Sequence, residues 1–322
     1  MRIQLLAYLT VIAVLFITSD SSCALLDTAK ITIRVVDESG SPIEAAKVGI
    51  GFEVNTQKKE TPVNGFTDSD GRFAASERCN GYVGFNVVKP GYYMSIGQYV
   101  FKTEKKGFIK WEPWNPEVTV ILRKIENPVP MYARDTNESR TNIPVVGKDV
   151  GFDLVTFDWV KPYGKGKIAD FYCLLYVRRS GPNDFEYRVK INFPGEYNGI
   201  QGIEENLKQG SEFKLPRFAP EDGYNKEMTV FIDRKPVGAS KWSFNDNKSY
   251  VFRVRSEVER GRFKKAVYGK IIGDIDIGTN RDGTAYLKFK YFLNPDYTRN
   301  LEFDPKRNLF LNLPERERVG IK

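Results

Sequence analysis

Through most of the chain apolar side chains recur at every second position, the period of a strand with one buried face. Ile31, Ile33 and Val35 alternate with Thr32, Arg34 and Val36, and a turn follows at Ser39-Gly40-Ser41-Pro42. The next strand covers residues 48–52, where Gly49 and Gly51 suit a bulge or a close backbone approach. Phe66 and Phe73 bracket Asp68-Ser69-Asp70-Gly71, and the Asp-Gly pair favours the positive φ that closes a hairpin. Val83, Phe85 and Val87 share one face of residues 82–88, and residues 118–122 add a further strand. About seven strands at this spacing predict a β-sandwich.

Residues 125–148 interrupt the pattern. Pro128 and Pro130 do not suit a central strand, and the polar run at residues 135–140 has nothing to bury, so a linker is expected. The strand period then returns at residues 152–160, 168–177, 185–191, 250–255 and 263–272. Ala285, Leu287, Phe289 and Tyr291 oppose Tyr286, Lys288 and Lys290 in the same way. Only residues 204–207 suggest a helical turn. The expected fold is therefore all-β, a sandwich over residues 30–124 followed by a larger antiparallel β-domain over residues 149–315.

In the first half the strand at residues 31–36 is followed by Asp37, Gly40, Pro42, Ile43, Ala46 and Val48, spaced D-x-x-G-x-P-I-x-x-A-x-V. Then come Gly65-Phe66-Thr67-Asp68-Ser69-Asp70-Gly71-Arg72-Phe73 and Val88-Lys89-Pro90-Gly91-Tyr92. This order resembles the carboxypeptidase regulatory-like domain over residues 30–124. The resemblance implies a transthyretin-like, Ig-like Greek-key β-sandwich. It also implies an accessory role, since such domains are appended to enzymes, surface proteins and outer-membrane receptors. The second half resembles no named family.

Residues 1–24 read as an export signal: Arg2 precedes an almost unbroken apolar run at residues 5–17, and Ser21, Ser22, Cys23 and Ala24 supply the small residues for cleavage. The alternative is lipid attachment at Cys23, against which Asp20 stands where a bacterial lipobox carries leucine. A membrane association is expected only with that lipid. The protein is accordingly expected to be exported, to a periplasm, a cell surface or the medium.

Composition removes several chemistries. The chain contains no histidine, which excludes Ser-His and Cys-His catalytic pairs and His-containing zinc sites within it. Its three cysteines are too few for an all-cysteine zinc site. The net charge of +8 is dispersed along the chain, so no nucleic-acid partner is expected. No phosphate loop or dinucleotide fingerprint occurs, and no cofactor or metal is expected. Asp68, Asp70, Gly71 and Glu77 partly match a calcium loop, but Phe66 occupies its first ligand position; turn chemistry explains these residues better.

Four groups of side chains remain as candidates. Trp111 and Trp114 lie in an aromatic, lysine-rich stretch that could bind a ligand, although such rings more often fill a core. Cys79 and Cys173 could form a disulfide; Cys173, mid-strand, reads better as a buried thiol. Asp274 and Asp276 share a strand face and Asp282 follows, an arrangement that could serve acid–base chemistry. The plainer reading makes them a solvated face opposite Ile275 and Ile277, with Asp282-Gly283 as a turn. The expected function is an exported, non-catalytic binding or structural module of a bacterial cell envelope, its partner an envelope protein or polysaccharide. An exported, glycan-directed hydrolase using second-domain carboxylates is the alternative.

The mature chain is expected to begin near Leu25. Intact-mass measurement on exported protein checks this, and a mass increase matching acyl chains on Cys23 would overturn it.

Overall fold

The computed structural model describes residues 27–54, 57–101 and 110–320. The expected export signal over residues 1–24, with Cys23, lies outside the described residues. The fold is all-β. In the first unit the strands are β1 (Asp27–Val36), β2 (Lys47–Glu53), β3 (Glu60–Phe66), β4 (Arg72–Cys79), β5 (Tyr82–Val88), β6 (Ser95–Val100) and β7 (Glu117–Ile121). One layer has the order β4-β1-β7, with β7 parallel to β1. The facing layer runs β6-β5-β2-β3. Between them Ile31, Ile33, Val48, Ile50, Phe52, Val83 and Val87 are fully or almost fully buried, the face that the alternation marks out.

One local expectation changes. The Asp-rich turn is present: Asp68 accepts the amides of Asp70 and Arg72, and Gly71 has φ of 74°. Yet β3 pairs with β2 and β4 pairs with β1, so the turn carries the chain from one layer to the other and closes no hairpin. Its place is fixed by tertiary contact. The Gly71 carbonyl accepts the Val35 amide at 2.7 Å, and a Cβ on Gly71 would lie 2.4 Å from the Val35 oxygen.

The second unit holds β8 (Val129–Asp135), β9 (Thr141–Asn142), β10 (Asp149–Asp153), β11 (Asp158–Trp159), β12 (Phe171–Gly181), β13 (Asp184–Asn192), β14 (Gly199–Glu204), β15 (Gly210–Ser211), β16 (Glu227–Arg234) and β17 (Lys241–Trp242). They are followed by β18 (Lys248–Glu259), β19 (Arg262–Ile271), β20 (Asp276–Thr279), β21 (Ala285–Lys288), β22 (Lys290–Asn294) and β23 (Phe303–Asn308). A six-stranded sheet, β11-β10-β12-β13-β16-β17, packs on a second, β14-β18-β19-β22-β8-β23, with the small sheet β20-β21-β9 beside them. The main core between these sheets includes Phe152, Leu175, Tyr187, Phe252, Phe289 and Tyr291. Residues 205–209 are loop and turn, without the helical turn expected there.

Residues 125–148 are no linker. Within them β8 lies between β22 and β23, and β9 pairs with β21. Pro130 is tolerated because the ladder to β22 begins only at Tyr132, while β23 is met through Val129 and Met131. The polar run is also used. Thr136 exchanges hydrogen bonds with the Phe289 backbone, and Asp135 pairs with Lys290 at 2.6 Å.

An ionic clasp joins the two large sheets. Arg255 on β18 has φ of 52° at an irregularity of the β18–β19 register, and its guanidinium meets Asp153 at 2.8 Å and Asp170 at 2.7 Å. Burial pushes the Asp170 carboxyl up, with Arg255 partly offsetting it. Asp153 is held down at about 2: burial opposes ionisation, but the amides of Lys167 and Thr156 outweigh it.

The sheet containing β18 and β19 is buried on both faces, which explains the unbroken burial of residues 249–254. Its second face carries Val251, Ala266 and Tyr268, which pack with Leu215 in a segment that reaches the first unit. There Phe213 stacks on Tyr93, ring centroids 5.1 Å apart, and β15 extends the first unit's sheet by pairing with β6. Glu302, fully buried, accepts the Tyr93 hydroxyl at 2.8 Å and the amides of Glu126 and Asn127 at 2.9 and 2.8 Å. Arg217 pairs with Glu302 at 3.0 Å and with Glu38 at 3.1 Å. Burial alone would raise the Glu302 carboxyl; these donors outweigh it and hold it below the usual range.

Lys270 is the exception to this pairing. Its ammonium is fully buried without a hydrogen-bond partner, 4.6 Å from the Phe213 ring centroid and 5.0 Å from that of Phe292. Burial, reinforced by Arg123 and partly offset by Glu205 and Glu302, pushes its pKa down to about 7.

Two stability predictions follow from this interface. Arg217→Ala leaves Glu302 buried without its cation and should cost about 3 kcal/mol by chemical denaturation. The Lys270 amine titrates near 7 when folded and near 10.5 when unfolded, so between those values the unfolded chain holds more protons and stability rises with pH. Lys270→Met should therefore stabilise the protein more at pH 6 than at pH 10, by a difference of roughly 4 kcal/mol between matched denaturation curves. An equal gain at both pH values would show that the amine is charged when folded.

Candidate functional site

A groove of about 570 Å³ opens where the terminal strand β17 approaches β20. Its construction starts from register. Trp242 lies opposite Ile232 on β16, and directly opposed residues share a sheet face. Ile232 packs against the main core, so Trp242 points to the same side, but at the end of the sheet. Its indole overhangs the sandwich edge and is 61% exposed. Phe244 extends the aromatic wall, and Ile232 and Ile277 line the apolar part; the Phe231 ring lies on the opposite sheet face, 5.0 Å from the guanidinium of its register partner Arg188. Ser243 fixes the turn by exchanging hydrogen bonds with the Phe231 backbone at 2.9 and 3.0 Å.

Two carboxylates, Asp246 and Asp276, complete the lining, which contains no lysine or arginine. Asp246 lies at the rim, 3.3 Å from Lys208 Nζ. Asp276 is half-buried at the start of β20, and no ion pair within 4 Å is found for it among the described residues. Burial raises its carboxyl above the usual range, countered in part by Lys288 on the paired strand. Chemically the groove offers flat aromatic faces, an apolar floor and negative charge.

Asp274 does not share that role. It is buried rather than solvated, accepting the Tyr250 hydroxyl and the amides of Asn245 and Ile275, the latter two at 2.9 Å. It thereby ties the β17–β18 turn to the entry of β20 and shapes the groove from behind. Asp282 is remote in function: it caps its own turn through Thr284, whose hydroxyl and amide hold its carboxyl down. Ile275 and Ile277 are buried as the alternation requires.

Trp111 is not a binding surface. It lies in the first core at 8% exposure, its ring over Gly81 and its indole N–H donating to the Cys79 carbonyl at 3.0 Å. Trp114 is partly exposed, with Lys110 Nζ 4.8 Å from its ring centroid, and the two tryptophans form no common site. Cys79 and Cys173 are not bridged to each other; each is buried in the core of a different unit. Burial drives the Cys173 thiol far above its usual range, consistent with an inert core residue.

Trp242, Phe244 and Asp246 escaped the reading of the sequence. The signal was a short one: Trp242 and Phe244 are two apart, followed by the turn residues Asn245-Asp246-Asn247. Nothing local distinguishes this from an ordinary hairpin end.

No protein-family model matches the chain, and no curated protein does. Solved structures share parts of its shape. A shaft pilin, spaA, from Lactobacillus rhamnosus GG is 10% identical, covering 77% of this chain and 94% of the pilin, with a TM-score of 0.24. Catechol 1,2-dioxygenase from Acinetobacter radioresistens is 17% identical over 34% of this chain, and 3-chlorocatechol 1,2-dioxygenase from Rhodococcus opacus 1CP is 14% identical over 31%, with TM-scores of 0.26 and 0.25. The chain spans 56% and 60% of the lengths of those two dioxygenases. At such TM-scores the likenesses carry no conclusion about this chain's chemistry.

Proposed function

We propose that the chain is an exported, non-catalytic binding module of a bacterial cell envelope, engaging an envelope protein or polysaccharide through the Trp242 groove. In this reading the first unit is an accessory sandwich of the carboxypeptidase regulatory-like kind, braced against the second unit that carries the site. The observation that supports it is the use made of buried acids. Asp153, Asp170, Asp274, Glu302 and Glu317, the buried carboxylates among the described residues, are each engaged by arginine, a hydroxyl or backbone amides in holding the fold. Groups so committed are poor general acids or bases, because any change of charge leaves their partners unsatisfied.

A hydrolase is the second reading, and one feature favours it: Asp246 and Asp276 line the same groove. The two readings separate in one assay. The full chain incubated with envelope polysaccharide and peptide fractions should be retained on them and release no product. Trp242→Ala should lower retention about tenfold, a loss of roughly 1.4 kcal/mol of contact. Product release that disappears in Asp246→Asn/Asp276→Asn, with an unchanged circular dichroism spectrum, would establish the hydrolase instead.

A further inference from the structure

The groove carries a charge opposite to that of the molecule around it. The chain bears a net +8, yet both ionisable side chains lining the groove are carboxylates. One of them, Asp276, is half-buried and has lost part of its hydration without an ion pair within 4 Å among the described residues, a cost that the more distant Lys288 offsets only in part. The walls suit the same visitor. Trp242 and Phe244 present exposed ring faces, whose negative quadrupole attracts ammonium and guanidinium groups. At the rim Lys208 already places its ammonium 3.3 Å from Asp246, so a lysine side chain can approach this wall.

The backbone around the groove narrows the class of ligand further. Strands β17 and β20 are both terminal in their sheets, so among the described residues each leaves one backbone edge without a strand partner. An extended peptide can pair with such an edge while alternate side chains enter the adjoining pocket. Lys241, opposite Asp233, points away from the face that bears Trp242 and does not fill the groove.

Resting on the proposed binding role, we infer that the Trp242 groove receives the lysine or arginine side chain of an extended basic peptide segment laid along a neighbouring sheet edge. Asp276 is the anchor for the cation, Trp242 and Phe244 flank its alkyl stem, and Asp246 sets the charge of the entrance. A glycan can stack on the same rings and donate hydroxyls to Asp276, but only a cation also neutralises the charge of that carboxylate.

Calorimetric titration of the full chain tests this with four probes: a blocked heptapeptide of alternating threonine and lysine, its threonine–glutamate counterpart, butylammonium and chitohexaose. The lysine peptide should bind, and about tenfold more weakly when salt is raised from about 50 to about 500 mM. Trp242→Ala and the near-isosteric Asp276→Asn should each weaken it about tenfold or more, and Asp246→Asn less. Unchanged circular dichroism checks that the variants fold, as the exposure of Trp242 leads one to expect. Equal binding of the glutamate peptide would overturn the charge argument, and equal binding of butylammonium would overturn the role of the strand edge. Chitohexaose binding in place of the lysine peptide would make the site a glycan site. If no cationic probe binds while Trp242-dependent retention on envelope fractions persists, the inference falls and the proposed function stands; loss of both removes the two together.

Discussion

The arrangement of the whole molecule depends on satisfying one buried carboxylate. Removing Glu302 from water is costly unless every lone pair finds a donor. Its donors come from three separate segments: Tyr93 in the first unit, the amides of Glu126 and Asn127 where the chain passes between the units, and Arg217 in the loop after β15. A partial set would leave the charge stranded, so the segments are fixed together or not at all. Arg217 reaches back to Glu38, and Arg123 donates to the carbonyls of Phe213 and Leu215, adding two further ties across the same seam. The two units consequently share a bonded boundary rather than a flexible link.

The same logic recurs inside the second unit. Arg255 bridges Asp153 and Asp170 across the facing sheets, and the left-handed backbone at Arg255 turns its guanidinium toward them. Paired charges of this kind contribute specificity of arrangement more than net stability, because desolvation offsets much of their attraction. The apolar core supplies the larger driving force, with Phe152 at the centre of contacts to Phe157, Trp159, Phe171 and Phe289. Lys270 shows the contrary case, an amine covered by the interface without a hydrogen-bond partner.

Edges complete the design. The terminal strand β3 carries Glu60 and Pro62, a charge and a residue without an amide donor, both of which discourage pairing with another chain. Strands β17 and β20 lack proline, and an aromatic groove adjoins them. The contrast marks where the molecule is built to stay apart and where it offers a surface.

What the residues determine alone is the class of structure and the inward face of most strands. Alternation at Ile31–Ile33–Val35, Val83–Phe85–Val87 and Ala285–Leu287–Phe289–Tyr291 identifies buried positions because a strand's side chains change sides at every residue. The Asp68–Gly71 turn and the Asp282 turn are likewise local, written in side chains that bond their own backbone. Partnership is not local. Which strand β3 meets, whether Pro130 is harmless, and whether Asp274 is solvated all depend on residues far along the chain. Trp242 reads as any hairpin aromatic until its register with Ile232 sets it at the rim of the sandwich. Lys270 reads as the polar member of an alternating strand until a second layer covers that face. A period of two assigns a side chain to a face; only the packed sheets decide whether that face meets water, a core or a partner.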